Sequence, residues 1–172
     1  MGYHIQIEKA NLVIKAEVQK QVLAIWKDLN SPKYDNQKRG GGDGKKWYSW
    51  MSEDYDKKCS TIDDVLEELR FDIQRMPNND VKIVGFESKM GQEDVFFKAI
   101  SHLIEPEQYL LWKGEDGSPF AWSFDGKKIL NVDPDKLPPS TNKQTNKDES
   151  LQSSNSKPEL IAPPKKTKRY QL

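Results

Sequence analysis

Residues 109–132 read YLLWKGEDGSPFAWSFDGKKILNV, and this stretch decides the fold. Three short apolar segments are separated by two turns rich in glycine and aspartate, a pattern typical of consecutive antiparallel strands. Asp125-Gly126 between apolar segments predicts a tight primed turn. The stretch therefore predicts a closing β-meander, with strands at Tyr109–Trp112, Phe120–Phe124 and Lys128–Val132 and a first turn at Gly114–Pro119.

The segments before the meander mix strand and helix patterns. Residues 4–14 predict either a small hairpin or one bulged strand, because two apolar stretches flank a short polar break. Apolar residues spaced three and four apart predict a helix over Ala16–Leu29, which Pro32 ends. Trp47–Met51 and Val81–Phe86 predict two further strands.

Two more helices follow from capping residues and periodicity. Ser60-Thr61 before two aspartates predicts a helix start, but its end stays open, because Phe71-Asp72-Ile73 alternates like a strand. Glu93–Ile104 predicts the last helix. The order of elements predicts an α+β fold, a single mainly antiparallel sheet with about three helices on one face, ending in a β-meander. The helix faces predict a shared core that contains Ile25, Trp26, Leu69, Phe86, Ile100 and Leu103.

The chain of 172 residues divides where its aromatic residues stop. Sixteen of its seventeen Trp, Tyr and Phe residues precede Asp133. Residues 1–133 hold 19 Lys and Arg against 23 Asp and Glu, a net charge of −4, whereas residues 134–172 hold 8 against 4, a net charge of +4. A globular domain over 1–133 and a disordered, basic tail over 134–172 are expected, because the tail has few apolar side chains to offset chain entropy.

The sequence contains no recognisable set of catalytic or metal-binding residues. Cys59 is the only cysteine, and His4 and His102 are the only histidines, so multi-cysteine and histidine-rich metal sites are excluded. The acidic cluster at residues 54–64 lacks the EF-hand order, and no phosphate-binding loop motif precedes a helix. We expect no enzyme activity and no cofactor. The chain start lacks a signal-peptide pattern, and no apolar run reaches membrane-helix length, so a cytoplasmic protein without a membrane partner is expected.

The aromatic side chains of the meander are the first candidate site. Strand alternation puts Phe120, Trp122 and Phe124 on one face, and Trp112 lies close by in sequence. An exposed stripe of this kind predicts a surface that binds a partner protein. The alternative is that the same face packs on the helices as core.

The glycine-rich loop is the second candidate site. Basic residues beside aromatic ones suit the phosphates and bases of a nucleotide or a single strand. A mobile surface loop without a ligand is the alternative, since no helix follows the glycines. The candidate residues for nucleotide or nucleic-acid binding within 38–50 are Lys38, Arg39, Lys45, Lys46, Trp47 and Trp50.

Four sequence blocks carry a resemblance to a known group of proteins: Gly2-Tyr3-His4-Ile5, Lys46–Trp50, Glu87–Gly91 and the GEDG-x-x-F-x-W-x-F-DG stretch that starts at Gly114. They resemble small uncharacterised bacterial and phage proteins with a GYH-like start, a WYSW segment and a GEDG closing hairpin. Phe120 stands where that group more usually has tryptophan. The resemblance implies a prokaryotic or phage intracellular protein and implies no activity.

Together these observations predict a non-enzymatic binding or regulatory protein that acts through a protein partner. The alternative is a protein that binds a nucleotide or single-stranded nucleic acid through the loop at 38–50.

Overall fold

The computed structural model describes residues 2–40 and 44–138. They contain one six-stranded sheet in the order β2-β3-β1-β4-β5-β6, in which every neighbouring pair is antiparallel. The α+β prediction and the closing meander, β4-β5-β6, are confirmed. The strands are β1 (His4–Ile14), β2 (Phe71–Arg75), β3 (Val81–Lys89), β4 (Tyr109–Gly114), β5 (Pro119–Phe124) and β6 (Ile129–Val132).

Four α-helices lie within the described part of the chain, one more than expected because a single turn forms after the glycine-rich loop. They are α1 (Gln19–Leu29), α2 (Tyr55–Lys58), α3 (Ile62–Glu68) and α4 (Glu93–Ile100). The predicted first helix starts as a 3-10 turn, Ala16–Val18, and the predicted last helix ends as one, Ser101–Leu103. None of the described helices is long and apolar enough to span a bilayer.

Strand β1 lies at the centre of the sheet and is one bulged strand, the second of the two predicted alternatives. Its register shifts between Gln6 and Leu12 against β3, and between Ile7 and Lys9 against β4. The shift against β3 leaves two extra residues on β1, and the shift against β4 leaves one extra residue. The shifts keep Ile5, Leu12 and Ile14 all buried, although a regular strand would send Ile5 and Leu12 to opposite faces.

Helix α3 follows the predicted capping chemistry. Thr61 accepts a hydrogen bond from the Asp64 backbone, and the Asp64 carboxylate accepts from the Thr61 backbone, which completes a capping box. The helix ends at Glu68, and Arg70 then adopts the left-handed conformation with φ 68°. The chain turns there into β2, so the strand alternative for Phe71–Ile73 is the one observed.

The core lies between the sheet and the helices. Trp26 on α1 contacts Tyr48, Tyr55 and Phe96, and Phe97 on α4 contacts rings from the sheet. Of the six residues predicted to share the core, four are buried and two, Ile25 and Leu103, are half-buried at its margin. The four buried residues are Trp26, Leu69, Phe86 and Ile100.

Two local predictions are wrong. Trp47–Met51 forms turns and no strand, and Trp47, Tyr48 and Met51 are all buried. Asp125-Gly126 is not a two-residue primed turn, since Phe124 pairs with Ile129 across a four-residue loop. The Asp125 carboxylate accepts hydrogen bonds from the Lys127 and Lys128 backbones. The Asp125 backbone also donates to the Lys128 carbonyl, and Gly126 adopts φ 81°, so the turn is centred on Gly126-Lys127.

The fold continues past the predicted end of the domain. Asp133 caps a 3-10 turn, Pro134–Lys136, which contacts β5. Ordered backbone therefore reaches at least Leu137. Residues 139–172 lie outside the described residues, so disorder there stays a prediction.

Lowering the pH is expected to destabilise the fold through Asp80, which is buried where α1 begins. Its pKa is lowered chiefly because the carboxylate accepts a hydrogen bond from the Ala16 backbone, at 2.8 Å. A folded-state pKa below the unfolded value of about 3.9 stabilises the protein above that pH, and the stabilisation is lost as the pH falls through the folded pKa. Urea unfolding across this range should show a flatter pH dependence for Asp80→Asn. Glu17→Gln, which removes an exposed carboxylate nearby, should leave the dependence unchanged.

Candidate functional site

Three strand ends and two connecting segments meet at one end of the sheet. The Met90 backbone, just after β3, donates a hydrogen bond of 2.7 Å to the Tyr3 carbonyl before β1. Ile5 of β1 pairs with Gly114, the last residue of β4. The four sequence blocks of the resemblance therefore converge in space. We call Tyr3, Trp50, Arg70 and Met90 the sheet-end surface.

Tyr3 is exposed but fixed in place. Its hydroxyl donates to the Asp116 carboxylate at 2.5 Å, and Asp116 also accepts from the Ser118 backbone. The hydrogen bond raises the pKa of Tyr3 and lowers the pKa of Asp116. The ring lies directly over Gly114, where an added Cβ would come within 1.8 Å of the Tyr3 hydroxyl. Glycine at this position is therefore a requirement of the close approach.

Arg70 occupies the position after the end of α3, where glycine is the usual residue because of the left-handed backbone. Its guanidinium donates to the Glu93 carboxylate at 2.6 Å, to the Ser88 hydroxyl at 2.7 Å and to the Lys89 carbonyl at 3.0 Å. Glu93 is only 1% exposed and also accepts from the Gly91 backbone. One side chain thus joins the end of α3 to the end of β3 and the start of α4.

The indole ring of Trp50 packs against the guanidinium of Arg70. The Arg70 guanidinium carbon lies 3.6 Å from the ring centroid, a cation–π contact. The indole N–H donates to the Glu68 carbonyl at 3.0 Å. On its other side the ring packs on Gly91, where an added Cβ would approach Cζ3 to 2.4 Å. Trp50 is therefore held on both faces and by its edge.

Two clefts flank the sheet-end surface, and acidic side chains predominate in both. A cleft of about 480 Å³ beside Trp50 and Arg70 is lined by Lys58, Cys59, Asp64, Glu67 and Glu68. A second cleft of about 320 Å³ beside Gly114 is lined by His4, Ile5, Gln6, Glu87, Lys113, Glu115 and Gly117. Since Arg70 is already paired with Glu93, Lys58 is the one other basic residue of the first cleft.

The predicted aromatic site of the meander lies mainly in the core. Trp112, Trp122 and Phe124 are buried, and their rings contact Phe86 of β3 and Phe97 of α4. The face therefore packs on the helices, the alternative given with the prediction. Only Phe120 is half-buried, stacked on Trp112 at a centroid distance of 6.0 Å. In this conformation a partner protein can contact Phe120, but it cannot contact the three buried rings of the stripe.

The predicted nucleotide loop uses most of its polar groups internally. Lys38 is buried and donates to the Asn30 carbonyl and to Asp35, while the Lys46 ammonium donates to the Met51 carbonyl. Arg39 is exposed and donates to two carbonyls of its own turn, and Lys45 is exposed.

The two tryptophans of the loop are also engaged. Trp47 is buried and donates to the Leu29 carbonyl, and Trp50 carries Arg70 on its face. Neither ring offers an open face for base stacking. The structure therefore does not bring the six predicted residues together as one site.

The role of Arg70 was not predicted from the sequence. That role depends on a left-handed backbone conformation, which a glycine normally indicates in a sequence. Tyr3 and Met90 lie within the sequence blocks of the resemblance, but they were not predicted as site residues. Other candidates have structural roles: Cys59 is buried, which raises its thiol pKa, and Asp64 caps α3. Within 2–40 and 44–138 no group of three acidic, histidine or cysteine side chains is arranged to hold a metal ion. Comparison with protein-family models, curated proteins and solved structures found no match.

Proposed function

We propose that this protein acts without catalysis, by binding a partner protein through the sheet-end surface. The carrying observation is that the strip made by Tyr3, Trp50, Arg70 and Met90 is partly exposed and is brought to one end of the sheet from four separate segments. Tyrosine, tryptophan, arginine and methionine are the residue types enriched at the centres of protein interfaces. Tyr3 and Met90 are 38% and 45% exposed, which is unusual for large apolar residues in this fold.

Two side chains of the strip, Tyr3 and Arg70, are held by hydrogen bonds within the fold. Asp116 fixes Tyr3, and Glu93 with Ser88 fixes Arg70. Ordering side chains on binding costs free energy, so a surface whose side chains are already fixed binds more tightly for the same area. This rigidity supports a recognition role more than a role in filling space.

The charge of the flanking clefts indicates the chemistry of the partner. Glu67 and Glu68 lie on one side of the strip, and Glu115 and Asp116 lie on the other. The proposed partner therefore presents an apolar centre with basic residues around it, and its affinity should fall as salt is added. The cytoplasmic, prokaryotic or phage setting of this proposal rests on the resemblance of the four sequence blocks.

Combined replacement Tyr3→Ser and Met90→Ser is expected to weaken partner binding by about thirtyfold or more, the effect typical of interface hot spots. The full chain, immobilised, would capture the partner from a lysate of the source organism, and the purified pair would then be titrated. Val84→Ser is the matched control, because Val84 is an equally exposed apolar residue (46%) outside the strip. A partner that binds the double variant normally and the Val84 variant poorly would refute this surface.

Binding of a nucleotide or a single strand through 38–50 has less support. Lys38 and Lys46 would first have to break their intramolecular hydrogen bonds. An oligonucleotide titration of the same full chain separates the two functions. Tight, salt-sensitive binding that is lost in Arg39→Ser/Lys45→Ser and retained in Tyr3→Ser/Met90→Ser would favour the loop.

A further inference from the structure

The two edge strands of the sheet differ in how well they are protected against pairing with another chain. Edge strand β2 carries the charged residues Asp72 and Arg75, and Arg75 pairs with Asp63 of α3. The register shift between β2 and β3 leaves Val84 of β3 without a direct partner. Charges and bulges on an edge strand prevent pairing with another chain. Edge strand β6 reads Ile-Leu-Asn-Val and has no charge, no proline and no bulge against β5. Within the described ranges, β5 is the only strand that pairs with it.

The outer edge of β6 offers backbone groups for pairing. The Asp125 backbone donates to the Lys128 carbonyl, whereas both backbone groups of Phe124 bond on the β4 side, to Glu107 and Gln108. Since antiparallel pairs alternate, Leu130 and Val132 face β5, and Ile129 and Asn131 direct their N–H and C=O groups outward.

The residues around β6 carry a charge pattern that complements itself. Lys127 precedes the strand, Asp133 follows it, and both are exposed. If two copies pair antiparallel about an axis at Leu130, Ile129 lies opposite Asn131 of the other copy. Lys127 then lies opposite Asp133 of the other copy, and this happens twice. Parallel pairing would instead place like charges together.

We propose that β6 pairs antiparallel with β6 of a second copy of this chain, which joins two sheets across a two-fold axis. A two-fold interface must be self-complementary, and here the outward backbone groups and the flanking charges both satisfy that requirement. An unrelated strand would use the same backbone groups but would have no reason to match a lysine at 127 and an aspartate at 133. The pairing groups of β6 do not belong to the sheet-end surface, although Met90 lines a cleft together with Ile129 and Asn131. The two proposals are therefore tested with different variants.

Charge exchange tests the register. Sedimentation velocity of the full chain from about 1 to about 100 µM should show a concentration-dependent dimer. Lys127→Asp should weaken dimerisation about tenfold, because two attractive pairs become repulsive. Asp133→Lys should act alike, and the variant with both changes should dimerise like the wild type. Lys20→Asp, an equal change of charge on α1, should have no effect.

Asn131→Pro tests the backbone pairing separately. The Asn131 N–H faces outward, so proline should abolish dimerisation and leave the circular dichroism spectrum and melting temperature nearly unchanged, while Asn131→Thr should dimerise normally. A wild-type chain that stays monomeric throughout would overturn the proposal. So would a dimer that is indifferent to both Lys127→Asp and Asn131→Pro. A monomer that captures another protein only when Asn131 is intact would assign the edge to a different partner.

Discussion

Replacing Trp112 with alanine is expected to lower the free energy of unfolding by about 3–5 kcal/mol, the range for truncating a large buried ring. Trp112 is fully buried in β4 and contacts the rings of Phe71, Phe86, Phe120 and Trp122. Its removal leaves a cavity at the centre of this aromatic cluster, where the surrounding strands cannot close in. Urea unfolding followed by circular dichroism measures the loss.

Two further variants serve as controls for this result. Trp112→Phe keeps a ring in the cavity and should lose less than half as much stability. Phe120→Ala removes a half-buried ring of the same stripe and should also lose less. If Trp112→Ala were as stable as the wild type, the stripe would not be core, and the meander would again be a candidate docking surface.

Replacing Arg70 with alanine is expected to cost about 3 kcal/mol or more, because it leaves the Glu93 carboxylate buried without its cation. The cation–π contact with Trp50 is lost as well. Arg70→Gly is the informative companion, since glycine removes the same contacts but tolerates φ 68° without strain. Arg70→Gly should therefore be about 1 kcal/mol more stable than Arg70→Ala.

A double-mutant cycle tests whether Arg70 stabilises the fold through its ion pair with Glu93. Glu93→Gln keeps an acceptor for the Gly91 backbone but removes the charge. If Arg70 and Glu93 act as a pair, the combined variant should lose clearly less than the sum of the two single losses. Additive losses would show that Arg70 stabilises the fold through Trp50 and the carbonyl of Lys89 instead.

The fold was predictable wherever one local rule acts alone. The α3 cap needs only Thr61 and Asp64, and the meander needs only alternating apolar residues between turns. Prediction failed where tertiary contacts decide. The sequence Trp47–Met51 predicts a strand, but the chain forms turns there, and Trp47, Tyr48 and Met51 are all buried in the core.

The site was harder to predict than the fold. Tyr3, Trp50, Arg70 and Met90 are far apart in sequence, and nothing in their spacing indicates that they meet. For the basic residues of the loop the error was the reverse, because residues predicted to bind a ligand form hydrogen bonds within the fold. Lys38 looked available because lysine is usually exposed, yet its ammonium is bonded to Asn30 and Asp35 inside the fold.

The central position of β1 has a consequence for the order of events during synthesis. This strand is synthesised before both of its neighbours, which begin only at Val81 and Tyr109. At about 5–20 residues per second, the nascent chain carries the apolar residues Ile5, Leu12 and Ile14 without a partner for several seconds. Helices α1 and α3, of 11 and 7 residues, are too short to be stable alone in that interval, and the sheet cannot form. The chain is thus most exposed to chaperones, proteases and self-association while it is being translated, and the last strands to emerge end that period.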